Sequence, residues 1–148
     1  MDPIGRILVP LDFSPSATFA LDWAEEFARR LDAELVLLHV NQPGAVLPGS
    51  DLARNEDALA RAELDRIAQA LVARGRRARA LVRPGSPSEE IVRLAAEERV
   101  GLIVMGTHGR SDVAHLLLGS VADRVVRRAA CPVLTVRHPD RSTSARGA

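Results

Sequence analysis

The sequence predicts an open α/β fold in which a parallel sheet carries helices on both faces. Two observations carry that prediction. Short apolar runs alternate with longer segments whose apolar residues recur at helical spacing. One of the runs, Glu34–Val40 (ELVLLHV), is apolar almost without a break, as a strand covered on both faces must be. With right-handed crossovers, a strand-helix series of this kind folds into a single parallel sheet between two helical layers. No internal repeat interrupts the series, and no linker divides it.

The first strand is Arg6–Asp12 (RILVPLD). Ser14-Pro15-Ser16 breaks the chain and caps a helix. Ala17, Ala20, Leu21, Ala24, Phe27, Ala28 and Leu31 form that helix's inner face. Glu34–Val40 is the second strand, and the Gly- and Pro-rich Asn41–Ser50 is a loop. Leu52–Arg74 is a long helix with Ala60, Leu64, Ile67, Ala68 and Leu71 inward, stopped at Gly75. Arg76–Arg83 contains the third strand. There Ala78, Ala80 and Val82 alternate with charged positions at Arg77, Arg79 and Arg83, as suits a sheet edge.

After the Pro84–Ser88 turn, Ser86 or Ser88 caps a third helix with Glu89 and Glu90 in its first turn. Ile91, Val92, Ala95 and Ala96 are its expected inner face. Leu102–Met105 is the fourth strand, and Gly106–Asp112 (GTHGRSD) is a glycine-rich loop. The fourth helix is expected over Leu116–Ala129, with Leu118, Ala122, Val125, Val126 and Ala129 inward. Val133–Val136 is the fifth strand. Residues 1–138 then form one domain, and the small, polar 139–148 form a disordered tail.

A chain of 148 residues buries enough surface to hold a core without disulfide or metal. The 20 basic residues are all Arg and balance 19 acidic ones, so the basic excess of a nucleic-acid binder is missing. Any phosphate site must work without lysine. Cys131 stands alone, which suits a reducing compartment. The start MDPIGRIL does not read as a secretory leader, and no apolar run reaches the ~20 residues of a membrane span. A cytoplasmic protein without membrane attachment is the expectation.

The local feature richest in chemistry is Gly106-Thr107-His108-Gly109, followed by nine residues and Gly119-Ser120. Glycines at a strand exit permit a tight turn and close ligand approach. Amides of this loop and of Gly119, Ser120 and Val121 can converge on phosphate oxygens, with the Ser120 hydroxyl as a further donor. The spacing is neither GxxxxGK[ST] nor GxGxxG. On the residues alone, a plain strand-to-helix turn explains it as well as a phosphate cradle does. His39 reads as structural, His115 as a packing residue, and His108 as a ligand contact or a solvent-facing side chain. No His or Cys pair has metal-ligand spacing. Trp23 reads as packing against the sheet or a partner, and Cys131 as a small apolar side chain.

Several segments together resemble the universal stress proteins of the small, single-domain, ATP-binding type. They are Val9-Pro10-Leu11-Asp12-Phe13-Ser14, Leu38-His39-Val40, Gly85-Ser86-Pro87 with Glu89-Glu90-Ile91, the Gly106-xx-Gly109-x9-Gly119-Ser120 pattern, and Cys131–Val136. The resemblance spans residues 4 to 138 or so. It implies a Rossmann-like, adenine nucleotide alpha hydrolase-like sheet of order 3-2-1-4-5, with ligand at the switch between strands one and four. It implies adenine flanked by Pro10, Leu11, Val40 and Met105, with the Val40 backbone reading the base edge. Asp12 would meet the ribose or a metal, although a cap for the Ser14 turn explains it too. Gly106, Gly109, Gly119, Ser120 and Val121 would hold phosphates, with Arg110 as an added contact.

The expected function is an ATP-binding regulatory protein of the stress response, with AMP or ADP as other ligands and Mg2+ arriving with the nucleotide. Hydrolysis should be slow or absent, because no base or transfer lysine accompanies the phosphate loop. The alternative is a dimeric protein-interaction module independent of nucleotide. An adenylating enzyme is disfavoured, since the HxGH and SGGxDS signatures are missing. A homodimer through the uncharged fifth strand is expected, with a protein partner that the sequence does not identify.

Overall fold

The computed structural model describes residues 3–44, 47–108 and 118–139. Five parallel strands form one sheet in the order β3-β2-β1-β4-β5, the order the resemblance implied. The strands are β1 Arg6–Pro10, β2 Glu34–Asn41, β3 Ala78–Pro84, β4 Leu102–Gly106 and β5 Val133–Val136. The helices are α1 Pro15–Leu31, α2 Asp51–Ala73, α3 Pro87–Glu97 and, in the described part, α4 Ser120–Arg128.

Period-two alternation along the central strands divides the core. Ile7, Val9, Leu35, Leu37 and Val104 pack with α1 and α2, while Leu8, Val36, Leu38, Ile103 and Met105 pack with α3 and α4. Both faces of β1 and β2 are therefore covered, which is why these strands tolerate no charge at their centres. The ends follow local chemistry. Ser14 caps α1 by accepting the Ala17 N–H at 3.2 Å, with Pro15 in the first turn. Gly75, at φ +87°, ends α2 with its N–H on the Val72 carbonyl at 2.9 Å.

Several expected inward positions are corrected. Leu31, at the end of its apolar stripe, and Val126, at the margin of its stripe beside the buried Val125, are about half exposed. On α3, Ala96 is exposed, whereas Leu94, Ser88 and Glu90 are buried. Leu118 precedes α4 rather than lying in it, and packs against the α3/α4 side of the core. Ser86 occupies the N-cap position of α3 but its side chain makes no capping bond, and Ser88 lies inside the helix. The expected tail from residue 140 onward and the expected helical residues 116–117 lie outside the described residues.

Candidate functional site

A parallel sheet opens a crevice where neighbouring strands send their connections to opposite faces. Here that point lies between β1 and β4, since the chain leaves β1 for α1 on one face and β4 for α4 on the other. A cavity of about 430 Å³ lies there, lined from β1 by Pro10, Leu11 and Asp12 and from β2 by Val40. Met105, Gly106, Thr107 and His108 line it from β4, and Ser120 and Val121 from the first turn of α4. Eight of the eleven site residues expected from the sequence are thus brought together: Pro10, Leu11, Asp12, Val40, Met105, Gly106, Ser120 and Val121. Gly119 stands beside them as the N-cap of α4. Gly109 and Arg110 lie outside the described residues.

The geometry refines several roles. Asp12 serves the turn: its Oδ1 accepts the Ser14 N–H at 2.9 Å, while the residue also lines the cavity. The Gly119 N–H is committed to the Thr107 carbonyl at 2.6 Å, so the free amides at this helix start belong to the residues after it. Gly119 has φ −66°, a value any residue adopts. Gly106 is required by close packing: a Cβ there would fall on the Ser16 hydroxyl and lie 3.1 Å from the Ser16 carbonyl carbon. The constraint is therefore the approach of α1, in addition to any ligand.

Reasoning from the sequence missed part of the wall. Ser86 and Ser88 bring the start of α3 to the cavity, Gln42 extends it beyond β2, and Arg124 lies on it four residues after Ser120. The Arg124 signal was present, because positions four apart share a helix face. Thr107 is 7% exposed, and among the described residues neither its hydroxyl nor His108 Nδ1 has a partner. Buried polar atoms are nearly always satisfied, so unpartnered ones in a cavity wall suit a polar ligand. Two helix N-termini, hydroxyls and one guanidinium against the apolar Pro10, Leu11, Val40 and Met105 form an amphiphilic surface. It fits a flat apolar base at one end and an anion at the other.

Other candidates lie elsewhere. His138 packs edge-on to Phe19 at 5.4 Å, and Trp23 is about half exposed beside Phe27. Burial raises the Cys131 thiol pKa, which favours the protonated, less nucleophilic form. Among the described residues no group of three or more His, Cys, Asp or Glu gathers as a metal site, and no helix is long and apolar enough to cross a membrane. His115 lies outside the described residues.

Comparison with known proteins agrees with this architecture. A curated relative, universal stress protein MJ0531 of Methanocaldococcus jannaschii, is 34% identical over 90% of this chain and 82% of its own length. The solved structure of MJ0577, from the same organism, superposes with a TM-score of 0.85 at 31% identity, covering 94% of this chain and 99% of that one. A universal stress protein solved in complex with cAMP superposes with a TM-score of 0.72 at 28% identity, covering 93% of this chain and all of its own. The family model for the universal stress protein family matches residues 3–137, and the chain belongs to that family.

Proposed function

We propose that this protein binds an adenine nucleotide in the cavity between β1 and β4 and acts as a nucleotide-responsive regulator rather than a fast enzyme. The observation that carries the reading is the wall itself. The α4 N-terminus, with Ser120 and Val121, faces the same cavity as the apolar exits of β1 and β2. Adenine stacks against Pro10, Leu11, Val40 and Met105, ribose meets Asp12, and phosphates meet the start of α4. Gly106, Gly109 and Arg110 complete the phosphate end in the family pattern, Gly119 caps the helix that faces it, and Arg124 adds charge. A family member solved with cAMP supports adenine nucleotides as the ligand class. ATP is the first ligand to test, AMP and ADP the next, with Mg2+ carried by the phosphates.

Ser120→Asp tests this cleanly. Aspartate in the first helical turn favours the helix dipole, so the fold is kept, but its charge opposes phosphate. Titration calorimetry should show ATP binding weakened by roughly tenfold or more, about 1.4 kcal/mol. A Ser120→Asp protein that binds ATP as tightly as the parent would sink the phosphate assignment. We also infer a homodimer through β5, whose backbone edge carries no partner strand among the described residues.

A further inference from the structure

We propose that His39 is a positioning residue for this cavity: its ring latches the turn that presents Asp12, and so sets nucleotide affinity. The inference rests on the nucleotide reading above and deepens it.

A histidine in the middle of an apolar run needs partners for two ring nitrogens. Both are engaged. Nδ1 lies 2.7 Å from the Leu11 carbonyl oxygen. A carbonyl only accepts, so Nδ1 carries the proton and donates. The Leu11 N–H in turn donates to the Leu38 carbonyl at 2.8 Å. Both backbone groups of Leu11 are therefore held by β2, one by the backbone of Leu38 and one by the next side chain.

Nε2 lies 2.9 Å from Asn41 Oδ1, and Asn41 Nδ2 donates to the Asp57 carboxylate on α2. The Asn41 side chain thus stands between the outer edge of the ring and α2, and bounds the space into which the ring could swing. The ring's face stacks on Phe13 at 4.6 Å with an interplanar angle of 24°. Phe13 has φ +63°, an unusual conformation for a bulky residue that persists where neighbours hold it. Asp12 lies between the latched Leu11 and the stacked Phe13. Leu11, Asp12 and His39 all line the cavity.

Three full-length variants test the proposal by ATP calorimetry, thermal melting and hydrogen exchange at the Ser14 amide, which is bonded to Asp12 and needs no nucleotide to be read. His39→Leu fills the space without a donor. His39→Asn keeps a donor at the δ position. Leu71→Ala destabilises the fully buried core of α2 away from the cavity. The expected result for His39→Leu is ATP affinity lower by roughly five- to a hundredfold, the effect of one buried hydrogen bond left unmade, with faster Ser14 exchange. His39→Asn should recover part of both, and Leu71→Ala should lower the melting temperature while ATP affinity stays at the parent value. The proposal is overturned if His39→Leu binds ATP like the parent, if Leu71→Ala weakens ATP equally, or if His39→Asn recovers neither property. A parent that binds no ATP overturns the nucleotide reading as well, which separates that failure from the others.

Discussion

At one side of the sheet, β3 exposes side chains that are tied down by charge. Arg79 bonds Glu34 at 3.0 Å and Glu98 at 2.6 Å, and Arg83 bonds Glu97 at 2.8 Å. Arg83 also approaches the buried Glu90, which pairs in turn with Arg93. At the other side, β5 reads Val-Leu-Thr-Val and carries no ionisable group. Leu134 and Val136 continue inward into the cluster that holds Phe19 and Phe27 of α1, with Trp23 half exposed between those two in the chain. An unpaired strand edge is a template for further strands, and charge is a common guard. The difference teaches that the two edges have different tasks. β3 is guarded by carboxylates from the start of β2 and the C-terminal end of α3, whereas β5 carries no charged guard of its own.

The largest effect should come from charging the open edge. Leu134→Arg puts a cation into the seam where two β5 strands would pair across a two-fold axis. Light scattering at micromolar concentration should give the parent at twice the chain mass of 16.0 kDa and the variant near 16.0 kDa. A parent at the single-chain mass, or a folded variant that dimerises as the parent does, breaks the comparison from the β5 side.

A smaller effect is expected from uncovering the guarded edge. Arg79→Val with Arg83→Val leaves β3 uncharged and β-prone, so it should resemble β5. Sedimentation should then show concentration-dependent association above the parent's state, because nothing opposes strand addition. If the double variant keeps the parent's state across the accessible concentration range, charge is not what protects β3.

The same contrast separates what the sequence made legible from what it did not. β5 was readable to the residue, because Val133–Val136 is bounded by Pro132 and Arg137 and has the composition of nothing but a strand. The arginines of β3 were readable as edge protection, but their partners were not. Glu34, Glu97 and Glu98 lie far from them in the chain and meet them only through the crossover geometry. The burial of Glu90 on α3 escaped because helical periodicity assigns an acid to solvent, and only the fold brings Arg83 of β3 to it beside its helix neighbour Arg93. Periodicity also gave the middle of each stripe better than its ends and margins, as Leu31 and Val126 show. At the cavity, the glycine pattern pointed to the right strand exits. Thr107 and Ser88 were missed because their roles depend on which cavity a side chain faces, and His39 was legible as structural while its partners Leu11 and Phe13 were not.

The smallest effect is electrostatic and tests whether the β3 guard contributes stability as well as negative selection. The Glu98 carboxyl is held below its ordinary value of 4.5, first by its hydrogen bond to Arg79, with burial opposing the shift. A folded-state value below the unfolded one means the folded protein keeps the charge while the unfolded chain takes up a proton. The resulting stabilisation is fully present above about 4.5, and falls away as pH drops through the lowered folded value. Arg79 is more than a third exposed, so solvent screens the pair and its share is a few tenths to about 1 kcal/mol. Denaturant titrations at pH 7 and pH 3 should show the parent losing more stability on acidification than Arg79→Leu, with the gap narrowing in 0.5 M salt, roughly a 4–5 Å Debye length. The Glu25–Arg74 pair, bonded at 2.9 Å between α1 and the end of α2, is shifted the same way and remains in both proteins, so it cancels in the difference. Equal acid losses in parent and variant would mean that the arginines of β3 guard the edge without stabilising it.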